Sequence, residues 1–227
     1  MEYTIQGEIM QVLEIVLQPE EAIKAEPGAM VFMQDGIRMQ TKAGGIAGGL
    51  RRLLTGEKFF LATFSNPTDV PLSVAFAAPY PGTIIPFELN GESIICQRGA
   101  FLCSEMGIEV KVAFTKKISA GLFGKEGFVL QKISGNGWVF VHAGGVVGEK
   151  VLEEGEVLKV DPACIVAFSE EVEYGISSAG GLRNVLFGGE GFFLATLKGP
   201  GTVYLQSLPF NRLVEEILSK AQLPSKK

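Results

Sequence analysis

The chain has 227 residues, of which 47% are hydrophobic and 20% charged, and its net charge is −5. That balance supplies a sizeable core and excludes a disordered chain, while the acidic surface counts against non-specific nucleic-acid binding, which needs a basic face to release phosphate counterions. A single histidine excludes a multi-histidine metal centre, and three cysteines without a CxxC spacing (Cys96, Cys103, Cys164) read as small buried hydrophobes in a reducing compartment.

Met1-Glu2-Tyr3-Thr4 has neither a basic nor a long apolar stretch, so no signal peptide is expected, and no run of 18 apolar residues predicts a membrane-spanning helix. Leu17–Met33 reads as a polar turn, a short strand and a Pro-Gly step into an apolar strand. Pro19 and Pro27 argue against reading its glutamates as helix. Asp35-Gly36 lies between apolar runs and is a hairpin signal; Ile37-Arg38-Met39-Gln40 alternates as a half-buried strand does. A glycine-rich, basic segment follows. Leu53–Phe64 (LLTGEKFFLATF) then leads into the turn SNPTD. Val70–Phe87 is apolar but carries Pro71, Pro79, Pro81 and Pro86, and reads as extended strand and turn.

The same two blocks then recur. Leu89–Ser104 and Leu152–Phe168 match Leu17–Met33, each with a Pro or Arg followed by Gly or Ala ahead of an apolar strand. Leu122–Ile133 and Leu186–Leu197 match Leu53–Phe64, and the first and third copies share FFLAT outright. Ile108-Glu109-Val110-Lys111-Val112 alternates in the second copy. Two blocks in constant order predict a tandem repeat: units at 1–81, 82–148 and 149–208, with a helix and tail at 209–227. In that tail Phe210, Leu213, Val214, Ile217 and Leu218 form one apolar stripe at helical spacing, after Pro209 and before Pro224. The expected fold class is all-β, with a short C-terminal helix that docks on the sheet or on a neighbouring chain.

The Gly44–Phe64 block (GGIAGGLRRLLTGEKFFLATF) together with Gln206–Leu218 (QSLPFNRLVEEIL) resembles the altered-inheritance-of-mitochondria family. The resemblance covers nearly the whole chain. It implies a fold like the tryptophan RNA-binding attenuation protein, with three double-stranded β-helix or β-sandwich units per chain and a trimer that mimics a nine-unit ring. The family's eukaryotic members are linked to mitochondrial inner-membrane organisation. No catalytic or cofactor residue comes with the resemblance.

Candidate chemistry is sparse. His142, at a strand end before a glycine turn, reads as a structural, hydrogen-bonded histidine rather than a base. Glu57, Glu126 and Glu190 recur in register; they read as turn carboxylates, with a cation-holding ring around an oligomer axis as the alternative. The clusters Gly44, Gly45, Gly48, Gly49 and Ser178–Gly181 do not fit a phosphate-binding loop. The candidate interaction loop comprises Gly44, Gly45, Gly48, Gly49, Leu50, Arg51 and Arg52, with Arg183 in the third copy. Apolar tips flanked by cations suit a membrane surface or a partner, but the plainer explanation is packing against a neighbouring repeat or subunit. The functional expectation is a non-enzymatic, ring-like homo-oligomeric scaffold or binding protein, without a cofactor, partnered by itself as a homotrimer. The alternative is a peripheral organiser of a membrane or membrane-protein complex. Either fits a cytoplasmic or membrane-peripheral location.

Overall fold

The structure is a computed structural model that describes residues 1–41, 61–116, 128–178 and 193–221. Within those residues the chain is built mostly of β-strands and ends in one short helix. In chain order the strands of the first third are β1 (Glu2–Gln6), β2 (Val12–Leu17), β3 (Ala22–Ala25), β4 (Met30–Met33), β5 (Arg38–Thr41), β6 (Ala62–Ser65) and β7 (Leu72–Phe76). Next come β8 (Gly82–Gln97), β9 (Phe101–Glu105), β10 (Ile108–Lys116) and β11 (Phe128–Gly144). The last third holds β12 (Val147–Leu152), β13 (Val157–Val160), β14 (Ile165–Ser169), β15 (Glu173–Ser178), β16 (Phe193–Lys198) and β17 (Gly201–Gln206), then helix α1 (Phe210–Lys220).

Alternation sets which face of each strand is buried. In β2, Leu13, Ile15 and Leu17 point inward while Val12, Glu14 and Val16 are half-buried. One pairing scheme then runs three times. In the first third β2 pairs β7 and β7 pairs β4, while β3 pairs β6 and β6 pairs β5. In the last third β12 pairs β17 and β17 pairs β14, while β13 pairs β16 and β16 pairs β15. In the middle, the 16-residue β8 and the 17-residue β11 each serve as two of these strands in one piece. The first half of β8 pairs the second half of β11 and its second half pairs the first, with a register shift at Ser134/Asn136 between them. Strands β9 and β10 lie against the second and first halves of β11 respectively.

Two junctions join the thirds. β3 pairs β9 antiparallel (Ile23↔Glu105, Lys24↔Ser104, Ala25↔Cys103), and β8 pairs β14 antiparallel (Ile94↔Ser169, Ile95↔Phe168, Cys96↔Ala167). They merge the middle of the molecule into a 10-stranded sheet, leaving a 4-stranded sheet of order β1-β2-β7-β4 and a 3-stranded sheet of order β13-β16-β15. Three apolar clusters fill the space between the sheets. One gathers around Leu13, Phe64, Phe76 and Phe140, a second around Leu89, Ile133 and Val141, and a third around Phe128, Leu130, Phe168 and Leu197. The first includes Leu102 and Cys103 of β9, so burial crosses the first junction.

The expected hairpin at Asp35-Gly36 is not one. The turn forms, with Gly36 at φ +104° and Ile37 donating to the Gln34 carbonyl at 3.2 Å, but its two strands enter different sheets: Met33 pairs Val74 of β7 and Arg38 pairs Ser65 of β6. Gln34 is held to β7 at both ends, donating its N–H to the Ser73 carbonyl at 2.9 Å and accepting the Ser73 N–H on Oε1 at 2.6 Å. These bonds anchor the corner on β7 and leave β5 free to turn away. The alternation on β5 fades for the same reason: Ile37 is buried, but Met39 stands half-exposed on a strand with a single neighbour.

Helix α1 begins at the expected place, and its apolar stripe is not buried on the sheet of its own chain. Phe210, Ile217 and Leu218 are 44%, 57% and 53% exposed, and no helix residue is fully buried. It is moored by a stack of Phe210 on Tyr80, with centroids 4.9 Å apart, and by an ion pair of Arg212 with Asp161.

Candidate functional site

All the loop and turn residues singled out from the sequence lie outside the described residues: Gly44, Gly45, Gly48, Gly49, Leu50, Arg51 and Arg52, Arg183, and the carboxylates Glu57, Glu126 and Glu190. His142 is described, and it is 3% exposed at the end of β11. Its ring meets Tyr80 edge-on at 4.7 Å, and its Nδ1 has no hydrogen-bond partner. Burial pulls its pKa down to about 4, so the imidazole is neutral. Its surroundings are therefore more apolar than the expected hydrogen-bonded strand end.

Two features bring functional groups together. The first is a cavity of about 310 Å³ where the thirds and the helix meet, lined by Glu26, Tyr80, Gln97, Arg98, Phe128, Gln206 and Phe210 among others. That volume lies at the lower end of the range of small-molecule sites. Glu26 follows β3, and its backbone N–H extends the first junction by donating to the Leu102 carbonyl at 2.9 Å. Its Oε2 is buried without a hydrogen-bond partner. Burial raises its pKa, and the nearby Arg98 charge opposes that rise. The Gln206 amide is used structurally: Nε2 donates to the Ala163 carbonyl at 2.8 Å, and Oε1 accepts the Gly144 N–H at 2.8 Å. Aromatic walls, a buried acceptor without a donor and a neighbouring guanidinium line this polar pocket. Among the described residues no three metal-ligating side chains converge.

These residues escaped the sequence reading because they form no motif. Glu26, Gln97 and Asp161 do share one signal: each is the polar residue before the Pro-or-Arg step of its copy. The fold uses them differently. Asp161 caps a short 3-10 turn by accepting the Ala163 N–H at 2.8 Å and pairs with Arg212, whereas the Gln97 amide oxygen meets the Gln206 Nε2 at 3.4 Å.

The second feature is a pair of outer strands. Among the described residues β4 pairs only β7 and β13 pairs only β16, as β1, β5, β10, β12 and β15 each also pair a single strand. Every residue of β4 is exposed, with Met30, Val31, Phe32 and Met33 at 37%, 53%, 44% and 38%, and Val157 at the start of β13 is 51% exposed. β4 carries no charge or proline, the usual guards of a free edge.

With this geometry in view, comparison with known proteins decides the family. The family model described as Mitochondrial biogenesis AIM24 matches residues 3–208. The chain belongs to that family. A relative in Streptococcus pyogenes serotype M6, the uncharacterized protein M6_Spy0233, is 28% identical over 218 residues, spanning 92% of this chain and 86% of its own. The crystal structure of protein SPYM3_0169 from Streptococcus pyogenes superposes with a TM-score of 0.80 at 24% identity, over 97% of this chain and 99% of that one. It shares the fold of this AIM24 chain, an all-β architecture closed by a short helix. In the AIM24 chain, too, no described helix is long and apolar enough to cross a membrane.

Proposed function

We propose that the protein is a non-enzymatic homo-oligomeric scaffold that closes into a trimeric ring by strand addition between copies, with the polar cavity as its binding element. One observation carries this reading: two junctions inside the chain join equivalent strands, and β13 and β4, the strands that would make a third, each have one edge unpaired among the described residues. Head-to-tail contacts of this kind form a closed ring when the rotation closes, and closure covers the β4 and β13 edges of every copy. Three is the copy number that the family resemblance implies. The exposed apolar β4 and the low charged fraction supply the interface with apolar area. Size-exclusion chromatography with light scattering tests it. Three copies of the 24.3 kDa chain (3 × 24.3 = 72.9 kDa) are expected at micromolar concentration, and a mass of one chain overturns the reading.

A second reading rests on charge. Lys42, Arg51, Arg52 and Lys58 against Glu57 give the glycine-rich segment 4 − 1 = +3 in a chain of net −5. Such a segment suits a peripheral contact with an anionic membrane or membrane complex.

A further inference from the structure

The two internal junctions are the same junction. Aligning the thirds by their FFLAT-type strands places Phe64, Ile133 and Leu197 in register, and their partners across the sheet are Ile23, Ile94 and Leu158. On that alignment Ile23, Lys24 and Ala25 correspond to Ile94, Ile95 and Cys96. Their junction partners Glu105, Ser104 and Cys103 correspond to Ser169, Phe168 and Ala167, without a shift of one residue. Two independent pairs of strands with different side chains have thus adopted one register. Carried to the ends of the chain, the donor strand is β13 and the acceptor strand is β4.

We infer that β13 of one copy pairs antiparallel with β4 of the next, in the register Leu158↔Gln34, Lys159↔Met33 and Val160↔Phe32. The inference rests on the ring reading and names its interface. Joining the sheets there gives the order β15-β16-β13-β4-β7-β2, the strand sequence found across both internal junctions. It covers a strand of four exposed apolar residues that lacks any guard against pairing. A second copy is the occupant because each edge repeats, residue for residue, one side of a junction the chain already makes. A strand register is strict, since a slip of one residue turns every side chain to the other face.

Disulfide trapping tests the register. Lys159 and Met33 are both exposed at the strand edges. Directly opposed residues on antiparallel strands bring their Cα atoms within about 4.5–5.5 Å, inside disulfide range, whereas a diagonal partner two residues away lies at about 7–8 Å. In a Cys164→Ser background, Lys159→Cys with Met33→Cys is expected to give covalent dimers and trimers on oxidation, and Lys159→Cys with Val31→Cys is expected to lose them. A charge pair gives a second readout. Met33→Lys sets like charges opposite each other and should abolish the trimer peak, and adding Lys159→Glu should restore it. A trimer that traps only the diagonal pair, or whose Met33→Lys defect Lys159→Glu leaves unrepaired, overturns this register while the ring stands. A monomeric wild-type protein overturns both.

Discussion

At the scale of single residues, a buried histidine and a partly buried glutamate pull stability in opposite directions with pH. His142 has its pKa lowered by burial to about 4 from an ordinary 6.5, so the fold favours the neutral ring. Its contribution is complete above pH 6.5 and is lost as pH falls from there toward 4, by at most about 3 kcal/mol at ~1.4 kcal/mol per pH unit. Glu26 has its pKa raised by burial, so the fold favours the neutral carboxyl and stability falls as pH rises above the ordinary 4.5. Urea denaturation at pH 7 and pH 4.5 checks both. Wild-type protein should lose the His142 contribution at the lower pH, and His142→Asn should flatten that loss. Glu26→Gln should raise the midpoint at pH 7 and change it less at pH 4.5; a lowered midpoint at pH 7 would show Glu26 engaged as an anion. Gly82 is a third sensitive position. A Cβ there would stand 2.0 Å from the Ala143 carbonyl oxygen and 2.6 Å from the His142 ring. Gly82→Ala should therefore destabilise by about 1–3 kcal/mol, as overpacking does.

At the scale of elements, the repeated blocks were legible because they combine strand period, turn residues and small-residue steps in fixed order. The strand identities at β3 and β4 follow from them directly. What the letters could not carry is partnership. Asp35-Gly36 has the composition of a hairpin turn, yet β7 contributes both hydrogen bonds to Gln34 and assigns the flanking strands to separate sheets. A long-range partner decided the geometry, and no local pattern encodes it. Likewise the stripe on α1 was legible but its cover was not: it leaves β4 and β13 open and meets the body through Tyr80 and Asp161. Cavity residues such as Glu26 were invisible because they come from segments far apart in the chain. The loop reading belongs to this scale. Arg51→Glu with Arg52→Glu should weaken co-sedimentation with anionic liposomes at low salt without lowering the melting temperature. Wild-type protein that ignores such liposomes removes the membrane reading.

At the scale of the whole molecule, assembly and folding share their strand edges, so stability should depend on concentration. A ligand that binds only the folded state raises stability by mass action, and a second copy is such a ligand. The melting temperature of the wild-type chain should rise as protein concentration is increased tenfold, and that of Met33→Lys should not. Helix α1 separates this account from one in which the helix makes the contact. Its apolar stripe is exposed, so it is the obvious competitor for a neighbouring chain. But the helix pairs with neither open edge, and its moorings lie beside the cavity, at Tyr80 and Asp161. Deleting residues 209–227 should therefore leave the mass of the assembly at three chains, while removing the Phe210 wall of the cavity and the Arg212 partner of Asp161. If that deletion yields single chains that remain folded by circular dichroism, the stripe of α1 holds the copies together and the strand edges do not.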